Sequence, residues 1–235
     1  MNSTAPEIGQ IHCVLRGQAV PCTRPDGSPG GLSAIAKQPV AGPVWVGPEG
    51  LDGDTQGDRR VHGGPDKAVH QYALEHYAAW RAELGARPVL DAPGAFGENL
   101  ASTGVTEATL CWGDRVRIGG VLLELAQSRQ PCWKLNLRFG QADMARRLQD
   151  SGRTGWYWRV LEPGLLQAGD AMRLVARPHP EWPLARVIAL LYQRTLDLDA
   201  LRGLARLHLP PSWQRMVQGR LERAQVEDWS ARLEG

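Results

Sequence analysis

The chain of 235 residues is 43% hydrophobic with a formal net charge of +2. That is enough apolar matter for one large domain plus a small one, and too little charge excess to argue for nucleic acid or a membrane surface, partners that call for Lys and Arg clustered on one face. The opening MNSTAPEIGQ has neither a basic nor an apolar run, and no segment approaches the roughly 20 apolar residues of a membrane span, so the expected location is the cytoplasm.

In chain order, IHCVLR, GLSAIAK and VWV read as short strands bounded by Gly, Pro and Asp. Residues 50–72, GLDGDTQGDRRVHGGPDKAVHQY, read as a long Gly- and Asp-rich loop. ALEHYAAWRAEL carries helical spacing and stops at Gly85; APGAFGENLASTG follows as a polar turn. In DRVRIGGVLLELAQ, Val116 and Ile118 alternate with Arg115 and Arg117, and Gly119-Gly120 supplies a two-residue turn, so a β-hairpin is predicted. ADMARRLQDSG reads as a short helix ending at Gly152, and GWYWRVL and DAMRLVARP as a further strand pair. Many short strands with such punctuation predict a mainly β domain, a barrel or sandwich with a few peripheral helices, over residues 1–177. After Pro178, PLARVIALLYQR, LDALRGLARL and SWQRMVQGRLERAQVEDWSARLEG carry helical spacing, with Pro183 in a first turn and Ser212 as an N-cap. A small three-helix domain is predicted over 178–235, too small to hold a large core without docking on the first.

Cys13, Cys22, Cys111 and Cys132 form no C-x-x-C or paired zinc spacing, so they read as four separate thiols. Cys132 differs in its flanks. In QSRQPCWKLN, Arg129 and Lys134 favour a thiolate, and Pro131 suits an irregular loop that aims a side chain. A thiolate is a nucleophile or a soft metal ligand; the bland alternative is a small apolar residue at the end of a buried strand. The 50–72 stretch gathers Arg59, Arg60, His62 and Lys67 among glycines, a composition suited to an anion such as phosphate, although it is not a P-loop; a solvated surface loop is the competing reading. Asn99 offers an amide donor and acceptor to a heterocycle.

GLDGDTQ, VHGGPDKA, FGENL and SRQPCWKLN, in that order and spacing, together with TGWYWRVLEPG and the helical tail, resemble the MOSC domain proteins of the YiiM type over nearly the whole chain. The resemblance implies a MOSC-type β-barrel that binds the molybdenum cofactor, with Cys132 completing the sulfur ligation of the metal. It implies Lys37, Asp54, Gln56, His62, Gly63, Asp66, Lys67, Asn99, Arg129 and Asn136 as the residues holding the pterin and its phosphate, and His62 or Asp54 as the proton source. Ala126 and Ser128 stand where serine and proline are expected, so a hydroxyl contact to the cofactor is either shifted to Ser128 or lost. The activity implied is reduction of N-hydroxylated compounds, hydroxylaminopurine-type base analogues among them, to the amine. No flavin or nicotinamide fingerprint occurs, so electrons are expected from a separate flavoprotein reductase, and a homodimer is among the expected arrangements. A carrier that holds the cofactor or persulfide sulfur without turnover, and an adaptor that binds partners through its tail, are the alternatives from other classes.

Overall fold

The computed structural model describes residues 5–24, 26–57, 63–193 and 196–234. Among these, the strands are β1 (Glu7–Arg16), β2 (Val20–Thr23), β3 (Pro29–Ser33), β4 (Gln38–Pro39), β5 (Val44–Gly47), β6 (Gly50–Leu51), β7 (Val69–Ala73), β8 (Leu100–Thr103), β9 (Arg115–Ile118), β10 (Val121–Ser128), β11 (Trp156–Glu162), β12 (Gly164–Leu166) and β13 (Ala171–Ala176). The α-helices are α1 (Glu75–Leu84), α2 (Lys134–Phe139), α3 (Met144–Ser151), α4 (Leu184–Tyr192), α5 (Leu198–Leu204), α6 (Pro211–Arg223) and α7 (Ser230–Leu233). None of the described helices is long and apolar enough to cross a membrane.

Seven strands in the order β13-β9-β10-β11-β7-β8-β1 close into a barrel through the β1–β13 pairing, so the sheet has no open edge there. All pairings in it are antiparallel except β7–β8. The predicted hairpin is present, with Ile118 opposite Val121 across the Gly-Gly turn. The predicted pairing of GWYWRVL with DAMRLVARP is not: β11 lies between β10 and β7, and β13 between β9 and β1. The Pro163-Gly164 turn instead sends the chain out into β12, which pairs with β5.

Inside the barrel, Val69, Val116, Ile118, Leu123, Leu125, Trp156 and Trp158 are fully or almost fully buried. Gln71 is the polar exception, and its amide is satisfied on both ends: Trp158 Nε1 donates to Oε1 at 2.7 Å, and Nε2 donates to Ser102 Oγ at 2.6 Å. Strand pairing sets the opposite face of the same wall. His70 is directly opposite Tyr157, so both side chains point out of the barrel, where loops and helices cover them. β7 is therefore buried along all five residues, on both faces.

Outside this wall, Tyr72, Tyr77, Trp80, Phe96, Leu135, Phe139 and Leu148 form a second apolar cluster with Trp229 and Leu233 from the chain's end. The tail forms its expected three helices, α4, α5 and α6, and continues beyond them. Its last segment leaves the helix at Ala224, which takes a left-handed conformation (φ 49°), and a fourth helix, α7, turns back onto the barrel side. α6 begins at Pro211, so Ser212 lies inside the first turn and Pro210 occupies the cap.

Candidate functional site

A cleft opens on the outer face of the wall formed by β7 and β11. Seven of the residues singled out from sequence meet there: Lys37, Asp54, Gln56, Lys67, Asn99, Arg129 and Cys132. His70, Tyr157, Phe96 and Lys134 also line the wall, and Leu32 to Ile35, at the end of β3 and just beyond it, form the rim.

Asp54 is the anchor of one side. Its oxygens accept from Lys37 Nζ, from the Gly17 backbone N–H at 2.7 Å and from Asn99 Nδ2 at 2.8 Å. Asn99 in turn gives Oδ1 to the His70 N–H at 3.1 Å, while the Asn99 N–H donates to the His70 carbonyl at 2.7 Å. With its oxygens committed to these donors, Asp54 is suited to holding Lys37 and Asn99 in place rather than to delivering a proton. Burial pushes the Lys37 ammonium below its ordinary value, offset by Asp54, and burial does the same to Lys67 against the pull of Asp66.

The opposite side carries the thiol. β10 ends at Ser128, Arg129 N–H donates to the Gly155 carbonyl at 3.0 Å, and Pro131-Cys132-Trp133 turn into α2. Gly155 is required at this point. Its φ is +71°, and a Cβ there would lie 2.6 Å from Gln71 O and 3.0 Å from His70 Nε2. Trp133 and Lys134 secure the β2–β3 hairpin: the Arg24 guanidinium lies 4.6 Å from the Trp133 ring centre, and Lys134 Nζ donates to Leu32 O. Lys134 is thus partly committed to the hairpin, and Arg129 is the cation flank that remains buried at the cleft.

Two polar atoms of this wall are buried with no hydrogen-bond partner among the described residues, Arg129 Nη1 and His70 Nε2. A buried guanidinium nitrogen without an acceptor is costly, and this one lies in a cleft that Lys37 and Lys67 also line. Burial, reinforced by the Arg129 charge, holds the His70 imidazole well below its ordinary value, so it is neutral. Burial raises the Tyr157 phenol, against the pull of Arg129, and keeps its proton on Oη.

Other expected contacts do not reach the cleft. Asp66 is paired with Arg159 at 2.6 Å, and Asn136 is used structurally: Nδ2 donates to Leu233 O at 2.9 Å and Oδ1 accepts from the Ala145 N–H at 2.8 Å. Gly63 is half-buried and off the lining, and His62 lies outside the described residues. Ser128 shares a 2.6 Å hydrogen bond with Tyr192 Oη, so its hydroxyl ties the barrel to α4 instead of facing a ligand. Among the described residues no three His, Cys, Asp or Glu side chains gather as metal ligands.

A closed seven-stranded barrel with an external, cation-lined thiol cleft and an appended helical unit defines a MOSC-domain protein. The MOSC domain family pattern matches residues 58–173, and that of the YiiM-like 3-alpha helix domain matches residues 182–224. Protein YiiM of Escherichia coli (strain K12) is 38% identical over 212 residues, covering 90% of this chain and 93% of that protein. A crystal structure of YiiM from Escherichia coli superposes with a TM-score of 0.77 over 97% of this chain and 98% of that one at 30% identity; that of YiiM from Geobacillus stearothermophilus gives 0.75 over 91% and 99% at 31%. A protein named Reductase from Gibberella moniliformis is 38% identical over 193 residues, covering 82% of this chain and 34% of its own length. The chain belongs to the YiiM-like MOSC-domain family.

Proposed function

We propose that this chain is a molybdenum cofactor-dependent oxidoreductase that reduces N-hydroxylated compounds, such as hydroxylaminopurine base analogues, to the amine. The observation that carries the reading is the coincidence in one cleft of a half-buried thiol and a buried guanidinium nitrogen with no hydrogen-bond partner among the described residues, Arg129 Nη1. Membership of the MOSC family and the likeness to a protein named Reductase support the oxidoreductase class. The donor set also suits the group: a soft sulfur for a redox metal, and cations for a phosphate.

In this reading Cys132 Sγ would hold the metal, and Arg129 and Lys67 would meet the anionic part of the cofactor. Asp54 holds Lys37 and Asn99 in place on the cleft wall. The bound cofactor supplies the two-electron chemistry by which an N–O bond is cleaved. Overall, R–NH–OH takes two electrons and two protons and leaves as R–NH2 and water. Electrons come from a separate flavoprotein reductase. The neutral His70 and the protonated Tyr157 Oη are the wall groups able to exchange a hydrogen bond or a proton with a substrate oxygen.

The test is chemical and analytical together. Protein produced in a cofactor-competent host is expected to carry about one molybdenum per chain and to reduce a hydroxylamino substrate when given reduced viologen; Cys132→Ala is expected to lose both. Full activity in Cys132→Ala refutes the reading, and metal without product on viologen identifies a carrier instead.

A further inference from the structure

The two peptide groups on either side of Cys132 are both held by one residue a hundred positions downstream. Arg232 Nη1 donates to the Pro131 carbonyl at 2.6 Å, and the Trp133 N–H donates to the Arg232 carbonyl at 2.8 Å. Peptide units are planar, so holding the one before and the one after a Cα restrains that residue's φ and ψ and therefore the direction in which its Cα–Cβ bond leaves the chain. Arg232 is itself fixed: Nη2 donates to Oε1 of Gln149, a buried side chain whose Nε2 lies 3.4 Å from the Tyr192 carbonyl. Its helix is seated by Trp229 and Leu233, both buried in the cluster that contains Leu135 and Phe139 of the helix following Cys132. Asn136 Nδ2 adds a bond to Leu233 O.

We infer that the end of the chain is a positioning strap for the cysteine loop, and that Arg232 sets the orientation of the Cys132 side chain toward the cleft. Arg232 is a positioning residue in this assignment; it does not line the cleft. The inference rests on the hydrogen bonds that Arg232 makes to the cysteine loop and is independent of what the thiol binds.

The test uses the full chain without added cofactor, with amide hydrogen exchange read on a peptide covering residues 129–137. Arg232→Met is expected to speed exchange there by about tenfold or more, because local opening no longer breaks a charge-assisted bond, while peptides of β10 and β11 stay unchanged. Arg232→Lys restores a cationic donor to Pro131 O and is expected to recover most of the protection. Arg146→Met removes the exposed Arg146–Glu234 pair on the same strap, away from Cys132, and is expected to change exchange by less than about twofold. Unaltered protection over 129–137 in Arg232→Met overturns the inference. Should that variant not fold, Gln149→Leu, which removes one of the guanidinium's two acceptors, is expected to give a smaller rise, and no rise in it overturns the inference equally. In cofactor-loaded protein, Arg232→Met is expected to retain several-fold less molybdenum. If instead Cys132→Ala keeps its metal, the ligand reading fails while the exchange result still decides the strap.

Discussion

At the scale of single residues, the cleft is organised around charges that are satisfied from one side only. Lys37 and Asp54 each keep about 7% of their side-chain surface exposed and form a buried ion pair on the cleft wall. Removing one member leaves the other charge desolvated, which typically costs roughly 3–5 kcal/mol. Lys37→Met is therefore expected to lower the urea-unfolding free energy by about 3 kcal/mol, and adding Asp54→Leu to recover part of it; a loss under about 1 kcal/mol would show that solvent or another cation already compensates Asp54. Cys132 and Arg129 stood out in the sequence because charged flanks are a local property, whereas Lys37 entered only through the family resemblance. His70 and Tyr157 did not stand out, since they become neighbours only through strand register, across 87 positions, and β7 shows no alternation to betray a strand because both of its faces are covered. Asn136, expected at the cofactor from the family resemblance, is taken up instead by the Leu233 carbonyl and the Ala145 N–H.

At the scale of elements, the tail is held in its returning path by Arg220. This guanidinium, 1% exposed, donates to the carbonyls of Leu190 and Leu191 at the end of α4 and to both oxygens of Glu227. Burial alone would raise the Glu227 carboxyl, but the hydrogen bonds from Arg220 and Trp229 outweigh it and hold the group at about 2, against an ordinary 4.5. In the unfolded chain the proton is taken up first, so the pair's stabilisation is complete above pH 4.5 and is lost progressively as pH falls toward about 2. Glu227→Gln is expected to cost about 2 kcal/mol at neutral pH, and the unfolding free energies of variant and parent, followed by denaturant titration, are expected to converge on acidification. Parallel curves over that range would place the pair's contribution outside Glu227 ionisation. The return itself was illegible in the sequence: helical spacing runs through RLERAQVEDWSARL without a glycine, and the break rests on Ala224 adopting a conformation that alanine seldom takes. The Arg115–Ser128 hairpin region, by contrast, was read correctly because its turn and alternation need no distant partner.

At the scale of the molecule, the sequence divides at about residue 178 by composition, but the packing does not divide there. The N-terminus of α4 is stitched to the loop before β9 by backbone bonds from Trp112 N to Trp182 O, Leu184 N to Leu110 O and Ala185 N to Glu107 O, all within 2.7–2.8 Å. Trp112 stacks on Trp213 with ring centres 5.5 Å apart, and Val187, Leu191 and Trp213 share one continuous core with barrel residues such as Leu110 and Leu123. Burying aromatic and aliphatic side chains of this size is worth roughly 1.5–3 kcal/mol each, so several such contacts equal the whole stability of an ordinary domain. The barrel and tail are accordingly expected to unfold together, in a single calorimetric transition with equal calorimetric and van't Hoff enthalpies. A chain ending at residue 177 is expected to be insoluble or to bind hydrophobic dyes, since it exposes the Trp112 face and also loses the Tyr192 bond to Ser128 and the strap on Cys132. Two resolved transitions in the full chain, or a truncated barrel that stays soluble and melts as the parent does, would mean that the tail is a detachable module and that the shared core contributes little.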